Sequence, residues 1–298
     1  MTAQDSTLTR APKVCVVIPT YNNAGTVADV VVRTSAFVKD IIVVNDGSTD
    51  AAARSLEGLP CVETVTHETN RGKGAALRSG LERAAARGFT HAITIDADGQ
   101  HAPEDIPKFL AAIAVHPEAI VVGVRNLTGS RRALKSRILR ANSNFWVWLE
   151  TGHRAHDTQS GFRAYPLASV GQLALVSTRY DFEIEILVKA MWQGVQVVTQ
   201  DVEARYEGLA VSHFRPLGDF ALVSHRNALL LIEKMLLPLS LRRSIHLKEY
   251  ASTPLLRRCV HIIEGVFLND ADTPGRFASS VGLGVFFGIL PIWGFQMA

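Results

Sequence analysis

Two aspartates one residue apart, Asp96 and Asp98 in the run ITIDADGQH, carry the strongest chemical signal in this sequence. They stand where an extended apolar segment ends, so their side chains project to the same side. Neighbouring carboxylates repel one another unless a cation or a shared proton intervenes. A hard divalent ion, Mg2+ or Mn2+, that itself bridges a diphosphate would relieve that repulsion, and Gln100 can add a neutral oxygen. The plainer alternative is a turn whose aspartates cap a helix starting at Pro103.

Three more polar clusters follow apolar runs: Pro19–Asn22, Asn45–Asp50 and Asn70–Gly74. Asp46, in VVNDGSTD, can accept hydrogen bonds from a base N–H or a ribose hydroxyl, although a turn would also use an aspartate there. The run NRGKG precedes a helix, whose N-terminus offers free N–H groups to an anion. Its glycines would let a nucleotide approach the backbone, and Arg71 or Lys73 could meet a phosphate. Asp157, Asp181, Glu183 and Glu185 are candidate general bases. Glu183 and Glu185 lie two apart on an expected helix, so at most one is expected to point inward.

Basic residues are unevenly spread. From Val121 to Arg163 there are eight (Arg125, Arg131, Arg132, Lys135, Arg137, Arg140, Arg154, Arg163) against Glu150 and Asp157. From Arg242 to Arg258 five stand against Glu249. Such clusters form solvated faces, or they meet an anionic ligand or membrane surface. A net charge of +3 is too small to argue for nucleic acid.

The elements that must position these residues read as α/β. With 47% hydrophobic and 20% charged residues, the 298-residue chain can bury one large core plus a smaller appendage. Val14–Pro19, Ile41–Asn45, Val62–His67, Ala92–Ile95 and Ala119–Gly123 read as strands, alternating with helical patterns that include Lys73–Arg87 and Pro103–His116. Unbroken apolar strands alternating with helices mean a mainly parallel sheet covered on both faces. Ligands bind such sheets beyond the carboxyl ends of the strands, where all four polar clusters lie. Later, Leu134–Thr151 and Phe182–Gly194 read as helices and Val195–Arg205 as a strand. Cys15 and Cys61 sit in apolar runs as small buried residues, and nothing suggests disulfides. Residues 1–12 read as a loose polar tail without a signal peptide's apolar core, so the N-terminal domain is expected in the cytoplasm.

In order along the chain, VVIPTYNN (16–23), IIVVNDGSTD (41–50), NRGKGAALRSG (70–80), DADGQHAPEDI (96–106), VVGVR (121–125) and DTQSGFRAY (157–165) resemble glycosyltransferase family 2, and within it the dolichol- and polyprenyl-phosphate sugar synthases. The resemblance implies a GT-A fold, Rossmann-like, over 13–217. It implies an inverting transfer from a nucleotide-diphosphate sugar to a polyprenyl phosphate at the cytoplasmic membrane face. Asp96, Asp98 and Gln100 would hold the metal and diphosphate, with Asp98, Arg125 and Arg137 catalytic. Pro19, Tyr21, Asn22, Asp46, Asn70 and Lys73 would line the nucleotide-sugar site. Arg125 and Arg137, with Arg163, would face the acceptor phosphate. The chain departs from the family pattern at Asn23, where glutamate is usual, and at Asn45, where a second aspartate is usual. VSHFRP (211–216) stands for a basic G-K-S segment, with His213 and Arg215 as substitutes.

Chemistry points to the same acceptor. Transfer to a sugar hydroxyl needs a positioned base, whereas a lipid phosphate is already an anionic nucleophile and needs arginines. A saccharide acceptor remains the alternative, then a non-catalytic nucleotide- or lipid-binding module, which intact Asp96 and Asp98 argue against. A nucleotidyltransferase would want a glycine-rich basic cradle that PTYNN does not offer. Residues 218–298 read as C-terminal amphipathic and membrane-associated helices, with 219–245 lying on the bilayer. The uncharged 277–298 frame is long enough for a span of about 20 residues and resembles the start of a small membrane-associated domain. A homo-oligomer could cover the same apolar surface.

Overall fold

A computed structural model describes residues 11–59, 62–126, 131–204 and 216–236. His213, Arg215, Cys61, the remainder of the 219–245 segment and the whole of 277–298 lie outside the described residues. Seven strands form one sheet: β1 (Val14–Thr20), β2 (Ile41–Asn45), β3 (Val62–Thr66), β4 (His91–Thr94), β5 (Ile120–Arg125), β6 (Arg163–Pro166) and β7 (Val197–Val202). Their order is β3-β2-β1-β4-β6-β5-β7. Every pairing is parallel except those of β6, which runs antiparallel to both β4 and β5.

The apolar strands are buried on both faces. In β1, Cys15 and Val17 belong to one core while Val16 and Ile18 belong to the other. In β2, Ile42 and Val44 divide in the same way from Ile41 and Val43. One core is roofed by α3 (Lys73–Ala86), α5 (Arg131–Thr151), α6 (Leu167–Val170), α7 (Phe182–Trp192) and α8 (Pro216–Leu236). The other is roofed by α1 (Val27–Ser35), α2 (Ala52–Ser55) and α4 (Ile106–Val115), the last entered through a short 3-10 turn at Pro103–Asp105. Cys15 is fully buried, and burial pushes its thiol up to about 12, which leaves it inert as the sequence suggests.

Strand β6 is the element that the sequence conceals. It is four residues long, opens on an arginine and ends on a proline. Glu183 and Glu185 correct the expectation that only one would face inward: they are 4% and 0% exposed. Helix α7 is buried around nearly its whole first two turns, so two acids on different faces can both be enclosed.

Helix α8 packs on α5 and α7 through Val223 and Leu230. Its Arg226 lies 3.4 Å from Asp181 and 3.9 Å from Glu185 at the start of α7. Near the far ends of α7 and α8, beside Trp192 and Lys234, Glu150 is fully buried, and neither carboxyl oxygen meets a hydrogen-bond partner among the described residues. Burial pushes its pKa from 4.5 up to about 9, against the pull of Lys234. The folded chain therefore holds a proton there that the unfolded chain has lost above 4.5. Stability from this group is complete below 4.5 and disappears as pH rises towards 9, by at most about 1.4 kcal/mol per pH unit. A melting temperature that falls by several degrees between pH 5 and pH 9, and flattens in Glu150→Gln, is expected; an unchanged slope in that variant would refute the assignment. Among the described residues, no helix is long and apolar enough to cross a membrane.

Candidate active site

The polar clusters converge at the carboxyl ends of β1, β2, β3 and β4, and the chain stitches them together. Asn22, held at φ 52°, accepts from the backbone N–H of Thr49 at 2.8 Å, and its own N–H donates to Ser48 at 3.0 Å. Those bonds fix the loop after β1 to the loop after β2. Asp46 does the same between β2 and α3. Its Oδ1 lies 2.6 Å from His67 Nδ1 and accepts from Arg71 N–H at 2.9 Å, while Oδ2 accepts from Gly72 N–H at 2.8 Å. At 2% exposure, this carboxylate faces the chain itself: its work is to hold the loop that leads into Lys73. Pro19 is buried within β1, Tyr21 is half-buried beside Asn22, and Asn70 and Arg71 are exposed.

The glycines of NRGKG have a different reason from the one the sequence suggests. A Cβ on Gly72, at φ +100°, would lie 2.4 Å from the Thr178 carbonyl oxygen, and one on Gly74 would lie 2.6 Å from Phe182 Cβ. The close approach they permit is that of the 178–182 segment, which sets the start of α3 against the start of α7. Lys73 then reaches two carboxylates, Asp96 Oδ1 at 2.7 Å and Glu183 Oε1 at 2.9 Å. Burial works to lower its pKa, but the two acids outweigh burial and raise it, so it is an ammonium at neutral pH.

Asp96 and Asp98 both stand partly exposed in this cluster. Burial alone would raise the Asp96 pKa; Lys73 overrides it and holds the carboxyl below its usual range. Asp98 is pushed up to about 6, by burial first and then by the charge of Asp96. Its Oδ1 accepts the Gln100 backbone N–H at 3.0 Å. Behind the pair, Gly161 leaves room for Asp96: a Cβ there would lie 2.5 Å from Oδ2. His101 sits 3.8 Å from the same oxygen, is buried, and is kept neutral by burial, which takes its pKa down to about 4.

These residues suit a divalent cation. Among the described residues, no three His, Cys, Asp or Glu side chains converge as a metal cage. Mg2+ and Mn2+ do not need one where a substrate diphosphate completes the coordination. Asp96, Asp98 and the Gln100 amide supply hard oxygens, and two neighbouring carboxylates repel less with a cation between them.

The arginines divide differently from the expectation. Arg125, at the end of β5, forms a two-pronged pair with the fully buried Asp157, with Nε–Oδ2 and Nη2–Oδ1 both 2.8 Å. Arg140 of α5 donates to the Arg125 carbonyl at 2.9 Å and lies 3.8 Å from Asp157. Arg137, one turn earlier, is exposed and outside this network. Arg163 is a correction: it is fully buried, and its guanidinium donates to the carbonyls of Ser160, Thr158 and Glu183 at 2.6–2.8 Å. It braces β6 against α7 and is not offered to an acceptor. Sequence reasoning gave no separate role to Gly161, His101 or Arg140, although DTQSGFRAY, DADGQHAPEDI and the basic run contain them.

Comparisons with known proteins bear on the family and the fold. A family model described as "Glycosyl transferase family 2" matches residues 15–171. The chain is 29% identical over 224 residues to polyprenol monophosphomannose synthase of Mycolicibacterium smegmatis, covering 70% of this chain and 83% of that one. It is 31% identical over 196 residues to UDP-N-acetylglucosamine–dolichyl-phosphate N-acetylglucosaminyltransferase of Methanococcus voltae, covering 58% and 78%. Among solved structures, glucosyl-3-phosphoglycerate synthase from Mycobacterium tuberculosis, in complex with Mn2+, UDP and glucosyl-3-phosphoglycerate, superposes with a TM-score of 0.59 at 20% identity, over 76% of this chain and 81% of that one. That likeness shows the GT-A fold. The same enzyme is also known with Mg2+ and UDP.

Proposed function

The chain belongs to glycosyl transferase family 2, and from that premise we propose that it moves a sugar from a nucleotide-diphosphate sugar to a polyprenyl phosphate at the cytoplasmic face of a membrane. It is a glycosyltransferase; the donor, the lipid acceptor and the membrane face are the proposal. One observation carries the choice of acceptor. Each of the four acids that the sequence offers as a general base is already committed to a cation. Asp157 pairs with Arg125 and Glu183 with Lys73. Asp181 faces Arg226. Glu185 pairs with Lys189 at 2.8 Å and accepts the Ser177 N–H. Burial would raise the pKa of Asp157 and of Glu185, yet their cationic partners hold both below the usual range, the wrong direction for a base working near neutrality. An acceptor that arrives as an anion needs no such base.

Tyr21 and Asn22 after β1, and Asn70 before α3, flank the strand ends where the nucleoside would lie. Lys73 meets the diphosphate from the start of α3. A divalent cation held by Asp96, Asp98 and Gln100 would offset the charge that develops on the leaving diphosphate. On the other side Arg125, oriented by Asp157, and the exposed Arg137 present positive charge to the acceptor phosphate. The names of the relatives support this assignment, since both include a polyprenyl or dolichyl phosphate acceptor or product. A panel of nucleotide sugars, incubated with the full chain and a membrane extract, is expected to yield one sugar-linked lipid phosphate by mass analysis. Sugar transfer that appears only on saccharides, with the lipid phosphate fraction unchanged, would replace this reading with the hydroxyl-acceptor one.

A further inference from the structure

We propose that Glu183 is a positioning residue: it receives the Lys73 ammonium from Asp96 when a divalent cation binds, so that one carboxylate can serve two cations in turn. The proposal rests on the metal-dependent reading above.

Lys73 stands between two acids at nearly equal distance, 2.7 Å from Asp96 and 2.9 Å from Glu183. Asp96 is also one of the oxygens a divalent ion would take. An ammonium and a metal ion cannot both rest on that carboxylate at hydrogen-bond range without strong repulsion, which a water-poor site screens weakly. Lys73 has a second seat within reach, and turning its terminal bonds is enough to use it. The seat is rigid. The Glu183 side chain is 6% exposed, and its backbone carbonyl accepts from Arg163 at 2.6 Å. The interlocked starts of α3 and α7, set by Gly72 and Gly74, fix its distance from Lys73. Tyr180 adds a ring 5.7 Å from the ammonium, a surface that tolerates a cation. Moved to Glu183, the ammonium remains beside the site and can still face a diphosphate.

A Glu183 that merely pinned α7 would not show in cation binding, and a Glu183 that merely added negative charge would act whether or not Lys73 were present. Titration of the full chain with Mn2+ alone, followed by electron paramagnetic resonance, separates these cases. Glu183→Gln is expected to weaken Mn2+ binding about tenfold, and Lys73→Gln to tighten it about tenfold, as competing cations require. In the Lys73→Gln background, Glu183→Gln should change Mn2+ affinity by less than about threefold, because there is no ammonium left to seat. An equal loss in both backgrounds, or no loss in either, overturns the proposal. So does weaker Mn2+ binding in Lys73→Gln, a result that does not depend on Glu183→Gln folding. If the unaltered chain binds no Mn2+ at millimolar levels, the cation site itself is overturned along with it.

Discussion

Asp98→Ala is expected to lower turnover by at least about a thousandfold while leaving the melting temperature nearly unchanged. Asp98 is a partly exposed residue past the end of β4, so little core packing is lost with it. Among the described residues, its backbone partner is the Gln100 N–H. What disappears is one of the two carboxylates that would hold the cation offsetting the charge on the diphosphate, and no third acid converges there among the described residues. Nucleotide binding that depends on Mg2+ or Mn2+ should vanish as well, measured by calorimetry with and without the cation. The pH profile gives a second sign. Asp98 is raised to about 6, and only its ionised form can ligate. The value of kcat/KM should therefore fall as pH drops through 6, and added Mg2+ should move that limb to lower pH, since metal and proton compete for the same oxygens. An Asp98→Ala enzyme that keeps normal turnover would remove the metal site from the mechanism.

The aspartate pair was legible because local sequence determines it: an apolar strand ends, and two residues of the same parity emerge from it. The strands themselves were legible for a related reason. With helices on both faces, β1 and β2 need no alternation and read as unbroken apolar runs. What escaped depends on contacts between distant segments. Gly72 and Gly74 look like a nucleotide cradle until residues 178–182 are seen lying against them. Arg163 reads as a cation for the acceptor phosphate, yet three backbone carbonyls absorb its charge inside the fold. Its burial also hid β6, because a strand that opens on arginine and closes on proline carries no strand signal. Arg137 and Arg140 belong to one basic run, and their spacing alone does not say which turn of α5 lies beside β5. The acids of α7 misled for the opposite reason: a face argument presumes an exposed side, and the first turns of α7 have almost none.

Gly161→Ala is expected to cost activity on the scale of Asp96 itself while the fold survives. Nothing in the backbone forbids alanine, because Gly161 does not lie in the left-handed region. The obstacle is the Asp96 carboxylate, which would lie 2.5 Å and 2.8 Å from the new Cβ through its two oxygens. Those atoms end a short side chain, so they can turn aside without disturbing β4 or β6, and the melting temperature should change little. Turning aside, however, takes Asp96 off its line to Lys73 and to the cation position. Misplacement of a reacting or ligating group by about 1 Å costs roughly a hundredfold in rate, and here both the carboxylate and the ammonium paired with it move. A loss of about a hundredfold or more in kcat/KM is therefore expected, together with weaker Mn2+ binding, in a protein whose unfolding is unaltered. Serine should behave like alanine, since its Cβ meets the same oxygens. If Gly161→Ala instead retains full activity, Asp96 does not work from the position it holds against Gly161, and its place beside Lys73 belongs to a different stage of the catalytic cycle.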